Sequence, residues 1–247
     1  MEAYILKSTV FLGIFLGAYY LLLSREKMYW FNRFYLLSGL VFSLVLPFAV
    51  IPFYVEAEVQ PVQALPIETM QMVAPMPVSA PVTEPINYWV YATVGVYGLI
   101  ATMLAVRFVL NIIRFYSVKK CNTLSGYNGA TLVLMNEEVL PHTFMNTIFI
   151  NKNEYERRLI EPELLTHELA HVRQKHTLDV LFVELLKTVF WFNPLLYLYK
   201  KAMQTNHEFL ADDAVISRHF NIPTYQLLLL DKATPPLAYT LASSINF

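Results

Sequence analysis

The sequence has 247 residues, of which 56% are hydrophobic and 15% are charged, and its formal net charge at pH 7 is −1. Soluble domains usually have about 25% charged residues, so this deficit indicates a membrane protein with a lipid bilayer as its surroundings. The near-zero net charge gives no sign of nucleic-acid binding, and no nucleic acid is expected among the partners. The single cysteine excludes an internal disulfide.

Three apolar segments are long enough to cross a bilayer, which needs about 20 residues. They run roughly over residues 4–23, 34–54 and 88–113. Residues 1–54 are therefore predicted to form two transmembrane helices, and residues 88–113 are predicted to form a third.

Basic residues are distributed unevenly around these segments. Those that follow the first and third segments are Arg25, Lys27, Arg33, Arg114, Lys119 and Lys120. Residues 55–87, after the second segment, contain no lysine or arginine. The positive-inside rule therefore places the N-terminus and residues 55–87 outside, and the first loop and residues 114–247 in the cytoplasm.

Residues 55–87 also contain six prolines, which remove backbone donors and favour an extended chain. We interpret this segment as a proline-rich extracytoplasmic loop that acts as a spacer. Ligand binding by the loop is the alternative.

The sequence changes character after the third apolar segment. Residues 131–135 and 147–150 are typical of short strands, bounded by glycine, asparagine and proline. Glu161-Pro162-Glu163 then predicts the start of a helix, because proline and acidic residues are favoured in the first helical turn.

This helix contains the motif His167-Glu168-Leu169-Ala170-His171. Residues four apart lie on one helix face, so both histidines can bind one Zn²⁺ while Glu168 acts as general base on a water molecule. Random placement would produce such a motif in roughly one chain in a hundred of this composition. The alternative is that the histidines are ordinary residues of a helix surface.

A catalytic zinc site needs a third protein ligand, and the best candidate is Glu208. Asp212 lies four residues later and can accept a hydrogen bond from a ligand histidine, which would fix its tautomer. The alternative for Asp212 is an exposed acid or an ion pair. His207 is a weaker candidate ligand, and it can instead line the cleft or help to stabilise an oxyanion.

Residues 178–199 resemble a fourth apolar span, but a crossing there would place Glu208 on the opposite side of the membrane from both histidines. Asp179, Glu184 and Lys187 interrupt the apolar run, and Asn193-Pro194 breaks any helix. We therefore predict a helical hairpin over residues 178–205. It is expected to pack on the catalytic domain or to enter the inner leaflet.

The motif HELAH, the segment Trp191-Phe192-Asn193-Pro194 and the pair Glu208-x-x-x-Asp212 follow the three spans in this order. In this arrangement they resemble the BlaR/MecR family of membrane metallopeptidases, the antirepressors of bacterial β-lactam resistance. The resemblance implies a gluzincin-type domain in which zinc is bound by His167, His171 and Glu208 and the base is Glu168. It also implies a bacterial cytoplasmic membrane.

Residues 141–144, before residues 148–150, resemble the segment that leads to the family's active-site edge strand, which could pair with an extended substrate. Typical members carry an acid five residues after the second zinc histidine, where this chain has His176, followed one turn later by Asp179. His176 is therefore expected to support a ligand or to be structural, rather than to bind zinc itself.

Typical members also continue into a further span and a penicillin-binding sensor, which residues 1–247 do not include, so β-lactam sensing is not predicted. A fragment of a longer protein and a branch with another C-terminal module are both left open.

The predicted fold is an α-helical polytopic membrane protein with a cytoplasmic α+β gluzincin-like zinc metallopeptidase domain over residues 114–247. The predicted function is that of a signal-transducing zinc endopeptidase, which cuts a cytoplasmic protein, by analogy a transcriptional repressor, or itself. The alternative is a non-catalytic transducer whose zinc domain binds a partner, but the intact Glu168 favours an enzyme. A transporter is a weaker alternative, and a homodimer is left open.

Overall fold

The computed structural model describes residues 2–49, 88–218 and 222–233, and this part of the chain is mostly helical. The helices are α1 (Glu2–Ala18), α2 (Tyr29–Val45), α3 (Tyr88–Cys121), α4 (Lys152–Glu156), α5 (Pro162–Gln174), α6 (His176–Val189), α7 (Leu195–Ile216) and α8 (Ile222–Ala233). The strands are β1 (Thr123–Tyr127), β2 (Ala130–Met135), β3 (His142–Phe144) and β4 (Thr147–Asn151). The predicted proline-rich loop over residues 55–87 lies outside the described residues.

Three of the described helical segments are long and apolar enough to cross a membrane, at the three places that the sequence predicts. They are Ala3–Leu23, Tyr29–Phe48 and Tyr88–Cys121. The second begins before its predicted start at residue 34, so Arg33 lies inside a helix rather than in a loop. The most apolar part of α3 has no buried residue, as expected for a helix whose surface faces lipid.

The strands form one sheet with the order β1-β2-β4-β3. β2 and β4 are parallel, and β1 and β3 pair antiparallel with β2 and β4 respectively. Residues 141–144 are expected from the sequence to lead to an edge strand at residues 148–150, but that expectation is wrong, because β4 is an interior strand. The edge strand beside the site is β3, formed by the leading segment itself.

Both faces of the sheet are covered, which explains why every residue of β4 is buried. One face packs on α5, through side chains such as Ile148 and Leu169. The other face packs on the last turns of α3, where the Phe115 ring stacks on Phe144 at 4.2 Å between centroids. The sheet thus holds α3 and α5 on opposite sides.

Helices α6 and α7 form a hairpin, and the chain reverses between them over residues 190–194. Pro194 precedes α7, and the Asn193 side chain accepts a hydrogen bond from the Leu195 amide at 3.0 Å. The hairpin packs along α1 and α2, with Val183 and Tyr199 in the same buried cluster as residues of both helices. Neither α6 nor α7 is among the candidate membrane spans of the described residues.

Two of the charged residues that interrupt the apolar hairpin, Glu184 and Lys187, are paired with each other, and Glu184 is also paired with Lys200. The Glu184 carboxylate lies 3.0 Å from Lys187 Nζ and 2.6 Å from Lys200 Nζ, and all three side chains are largely buried. Buried charges are costly unless they are paired, so these contacts allow α6 and α7 to carry charge within an apolar environment.

Candidate metal centre

The packing of α7 on α5 brings the three predicted ligands together. α5 begins after Glu161 with Pro162 in its first turn, as the sequence predicts, and it ends at Gln174, just before the C-cap residue Lys175, whose φ is 56°. His167 and His171 present their rings from one face of this helix, and Glu208 approaches from α7. Their donor atoms all lie within 4.8 Å of one another.

The separations of these donor atoms fit a tetrahedral zinc site. The two Nε2 atoms of His167 and His171 are 3.1 Å apart, and Glu208 Oε2 lies 3.3 Å from His167 Nε2. Glu208 Oε1 lies 3.8 Å from His171 Nε2. Ligands bound to zinc at 2.0–2.1 Å in a tetrahedron lie about 3.3 Å apart, and two imidazoles with one carboxylate are a donor set that zinc accepts.

Two further residues contact His167 at Nδ1, the ring nitrogen that does not face the other candidate ligands. Its Nδ1 lies 3.1 Å from Asp212 Oδ1 and 3.0 Å from the hydroxyl of Tyr225, which itself donates to Asp212 at 2.8 Å. With Nε2 directed at a metal, the Nδ1 proton is free to be donated to Asp212, which fixes the tautomer. Asp212 thus lies beside a candidate ligand histidine, and its role in fixing the tautomer of that ring stays a prediction.

The charges around His167 favour a cation at this place. Burial lowers the pKa of His167, but its hydrogen bonds with Asp212 and Glu208 raise it more, and the resulting pKa is about 10. The same two carboxylates that stabilise a proton on this ring stabilise a divalent cation beside it.

His171 is held by His176 rather than by an acid. Their Nδ1 atoms lie 2.8 Å apart, and His176 Nε2 lies 3.0 Å from Gln174 Oε1. Burial lowers the pKa of His171 to about 4, so this ring is neutral, which is the form that binds a metal. His176 contacts a candidate ligand and lies outside the group of three donors, and its supporting role stays a prediction.

His207 is buried, and its Nε2 donates to Asp179 Oδ2 at 2.9 Å. Its ring stacks on the His176 ring, with centroids 4.1 Å apart and planes within 5°. Although His207 is among the residues that line the cleft, its polar contact is directed at Asp179.

Glu168 points into the cleft beside the three candidate ligands. Its carboxylate accepts a hydrogen bond from the Thr143 hydroxyl of β3 at 2.7 Å. Burial raises the pKa of the Glu168 carboxyl, and the hydrogen bond from Thr143 opposes that rise. A raised carboxyl pKa brings a general base closer to neutral pH, where proton transfer is most effective.

The group lies in a cleft of about 750 Å³ between α3, β3 and the helices α5 to α7. Arg114 of α3 and Lys200 of α7 also line the cleft, and Thr143 lines it next to Glu168. The edge strand β3 therefore forms one wall of the space beside the candidate ligands.

Some of the supporting residues were not among the sequence candidates. Tyr225 lies in α8, beyond all the recognised motifs, and nothing in the local sequence marks it. Arg33 donates from Nε to Asp179 Oδ2 at 2.6 Å, but the sequence places it in a loop between two spans, so nothing marks it for such a contact. Gln174 becomes informative only once His176 is known to contact His171.

The chain combines three candidate membrane spans with a helix that carries the motif HExxH, beside a group of three side chains that could hold a metal. The sequence model of the family described as BlaR1 peptidase M56 matches residues 134–236. Over 53 residues, the chain is 43% identical to the regulatory protein BlaR1 of Bacillus licheniformis, a segment that covers 22% of this chain and 9% of that relative. These matches confirm the predicted resemblance to the BlaR/MecR family, and residues 134–236 are similar to its peptidase domain.

Proposed function

We propose that this chain is a membrane zinc endopeptidase of the signal-transducing antirepressor type. The observation that carries the proposal is the convergence of His167, His171 and Glu208 within 4.8 Å, with Glu168 beside them in the cleft. Its substrate is proposed to be a cytoplasmic protein, either a transcriptional repressor or a second copy of the chain itself.

In this proposal His167 and His171 bind zinc through Nε2 and Glu208 binds it through a carboxylate oxygen. Zinc, when bound, supplies Lewis-acid polarisation of the scissile carbonyl and of the attacking water. Glu168 accepts the proton of that water as it attacks the peptide carbonyl, and then donates it to the leaving amine nitrogen. Thr143 holds the Glu168 carboxylate in place through its 2.7 Å hydrogen bond.

The edge strand β3 offers a place for the substrate backbone. Its partner β4 lies on one side of it, and the cleft with Glu168 lies beside it. An extended peptide that pairs with the free side of an edge strand gains main-chain hydrogen bonds, so its carbonyls are held at a fixed distance from the strand. We propose that a substrate pairs with β3 in this way.

The cytoplasmic placement of the site is also part of the proposal. The contact of Arg33 with Asp179 brings the start of α2 to the peptidase domain, so the basic turn at residues 24–28 lies at the same end as the metal centre. The positive-inside rule assigns this turn to the cytoplasm, and the site would follow it there. The N-terminus would then be extracytoplasmic.

The experiment compares cells that carry the wild type, Glu168→Gln or the control Glu163→Gln, by proteomic mapping of new N-termini. Glu163 lies on the same helix but outside the cleft. We expect wild type and Glu163→Gln to give the same cleavage products and Glu168→Gln to give none, although it still binds zinc. Equal products from Glu168→Gln and wild type would contradict the proposal, and a lack of products from all three would favour the non-catalytic transducer.

A further inference from the structure

A buried arginine connects the second apolar helix to the candidate metal centre. Arg33 lies in the second turn of α2, and its side chain is 9% exposed. Its Nε donates to Asp179 Oδ2 at 2.6 Å, and its Nη2 donates to the main-chain carbonyl of Gln174 at 2.8 Å. One guanidinium therefore contacts both α6 and the last residue of α5.

The contact of Arg33 with Asp179 connects α2 to α7, the helix that carries Glu208. Asp179 Oδ2 accepts from Arg33 and also from His207 Nε2, at 2.9 Å. His207 immediately precedes Glu208 on α7. Since the buried carboxylate bonds to both residues, the positions of α2 and α7 are linked at this point.

The contact of Arg33 with Gln174 connects α2 to α5, the helix that carries His167 and His171. The carbonyl of Gln174 is at the C-terminus of α5, where helix carbonyls lack partners within the helix and a cation is favoured. The side chain of the same residue lies 3.0 Å from His176 Nε2, and His176 Nδ1 lies 2.8 Å from His171 Nδ1.

The hydrogen positions follow from this chain of contacts. If His171 binds a metal through Nε2, its proton is on Nδ1 and is donated to His176 Nδ1. His176 then carries its proton on Nε2 and donates it to Gln174 Oε1. Each of these two hydrogen bonds has one donor and one acceptor. If Gln174 is displaced, His176 Nε2 loses its acceptor, and the ring orientation of His171 is no longer fixed.

We propose that Arg33 is a positioning residue for the metal centre, which it reaches through Asp179 and Gln174. This inference rests on the proposed zinc ligands. It goes further because the geometry of these ligands then depends on the position of α2, an apolar helix outside the peptidase domain. A change in the position of α2 relative to α5 and α6 would alter the hydrogen bonds behind His171 and beside Glu208. Arg33 is thus the contact through which the membrane part of the chain can act on the site.

The test uses the full chain in detergent or nanodiscs. Zinc affinity is measured by competition with a chelator, and ligand geometry is measured from the visible spectrum of the Co²⁺-loaded protein. We expect Arg33→Met to weaken zinc binding about tenfold, which is the lower end of the range for residues that support metal ligands, and to change the Co²⁺ bands. The control Arg25→Met removes an exposed arginine just before α2 and should change neither quantity.

Arg33→Lys serves as a second variant in case Arg33→Met does not fold. Lysine keeps the charge but lacks the planar fork that contacts both partners, so we expect about threefold weaker zinc binding and altered Co²⁺ bands. Folded Arg33 variants with wild-type affinity and spectrum would overturn the proposal, and so would a lower thermal stability with an unchanged spectrum. Failure of the proposed function is distinguishable, because wild type itself would then not bind zinc or Glu168→Gln would still cleave.

Discussion

The side-chain amide of Asn193, at the tip of the α6–α7 hairpin, donates a hydrogen bond to the hydroxyl of Thr9 in α1 at 3.1 Å. Thr9 lies 14 residues before Leu23, where the first apolar segment ends. At 1.5 Å per residue this is roughly 21 Å along the helix, compared with a hydrocarbon core of about 30 Å. If α1 spans the bilayer, the hairpin therefore reaches well beyond its middle.

The packing of this hairpin on α1 and α2 depends on Gly39. A Cβ atom at this position would lie 2.8 Å from the Tyr199 hydroxyl and 3.1 Å from Phe15 Cβ. We expect Gly39→Val to lower the free energy of unfolding by about 1–3 kcal/mol, which is typical of overpacking. Thermal or SDS-induced unfolding in detergent measures this change.

Gly17→Val is the matched control. Gly13 and Gly17 form a GxxxG pattern, which is typical of close helix packing in membranes, yet no described atom lies within 4 Å of a Cβ built on Gly17. Equal stability losses in both variants would show that the contact between Gly39 and Tyr199 does not limit the packing.

The three candidate ligands predict the zinc content of the purified protein. We expect about one zinc per chain in wild type and almost none in the double variant His167→Ala/His171→Ala, because one carboxylate alone binds zinc weakly. Glu208→Gln should bind zinc more weakly than wild type, since a neutral amide is a poorer ligand. Metal analysis after dialysis measures the content, and full retention in the double variant would refute the assignment.

The contacts behind His167 predict a graded effect on zinc affinity. Asp212→Ala removes the acceptor of the Nδ1 proton, and we expect about 10- to 100-fold weaker binding. Tyr225→Phe removes only the hydroxyl that donates to Asp212, so we expect a smaller loss. Asp213→Ala, an exposed neighbour, is the control, and the ranking would be wrong if Tyr225→Phe lost more zinc affinity than Asp212→Ala.

The hydrogen bond from Thr143 to Glu168 predicts a shift in the pH dependence of cleavage. Burial raises the pKa of the Glu168 carboxyl and Thr143 lowers it, so Thr143→Val should raise the pKa further. A general base acts only when ionised, so the acid limb of the kcat/KM profile should move to higher pH. The control Thr166→Val, on α5 outside the cleft, should leave the profile unchanged, and a shift to lower pH in Thr143→Val would contradict the assignment of the base.

The proposed orientation predicts the labelling of single cysteines in intact cells. In a Cys121→Ser background, a cysteine at position 79 should react with a membrane-impermeant thiol reagent, whereas one at position 125 should react only after permeabilisation. The reason is that the basic segments are expected in the cytoplasm and residues 55–87 outside. The reverse pattern would invert the topology and place the metal centre outside the cytoplasm.

The sequence by itself determined the features that depend on local spacing and composition. Three apolar segments of sufficient length, the α5 start at Pro162 and the motif from His167 to His171 could all be recognised, because helix periodicity and membrane thickness act on neighbouring residues. Glu208, 37 residues after His171, is the best candidate for the third ligand on sequence grounds, and the resemblance implies the same residue.

Only the tertiary structure decided which distant residues support the site. Tyr225 of α8 contacts both His167 of α5 and Asp212 of α7, and Arg33 reaches Asp179 across 146 positions because α2 packs on the hairpin. The edge position of β3 likewise follows from β4 pairing with β2 in parallel, which no pattern within either strand specifies. Such contacts depend on how helices and strands are arranged in space. A hydrogen bond between residues so far apart in the chain is not indicated by any periodic pattern of the sequence.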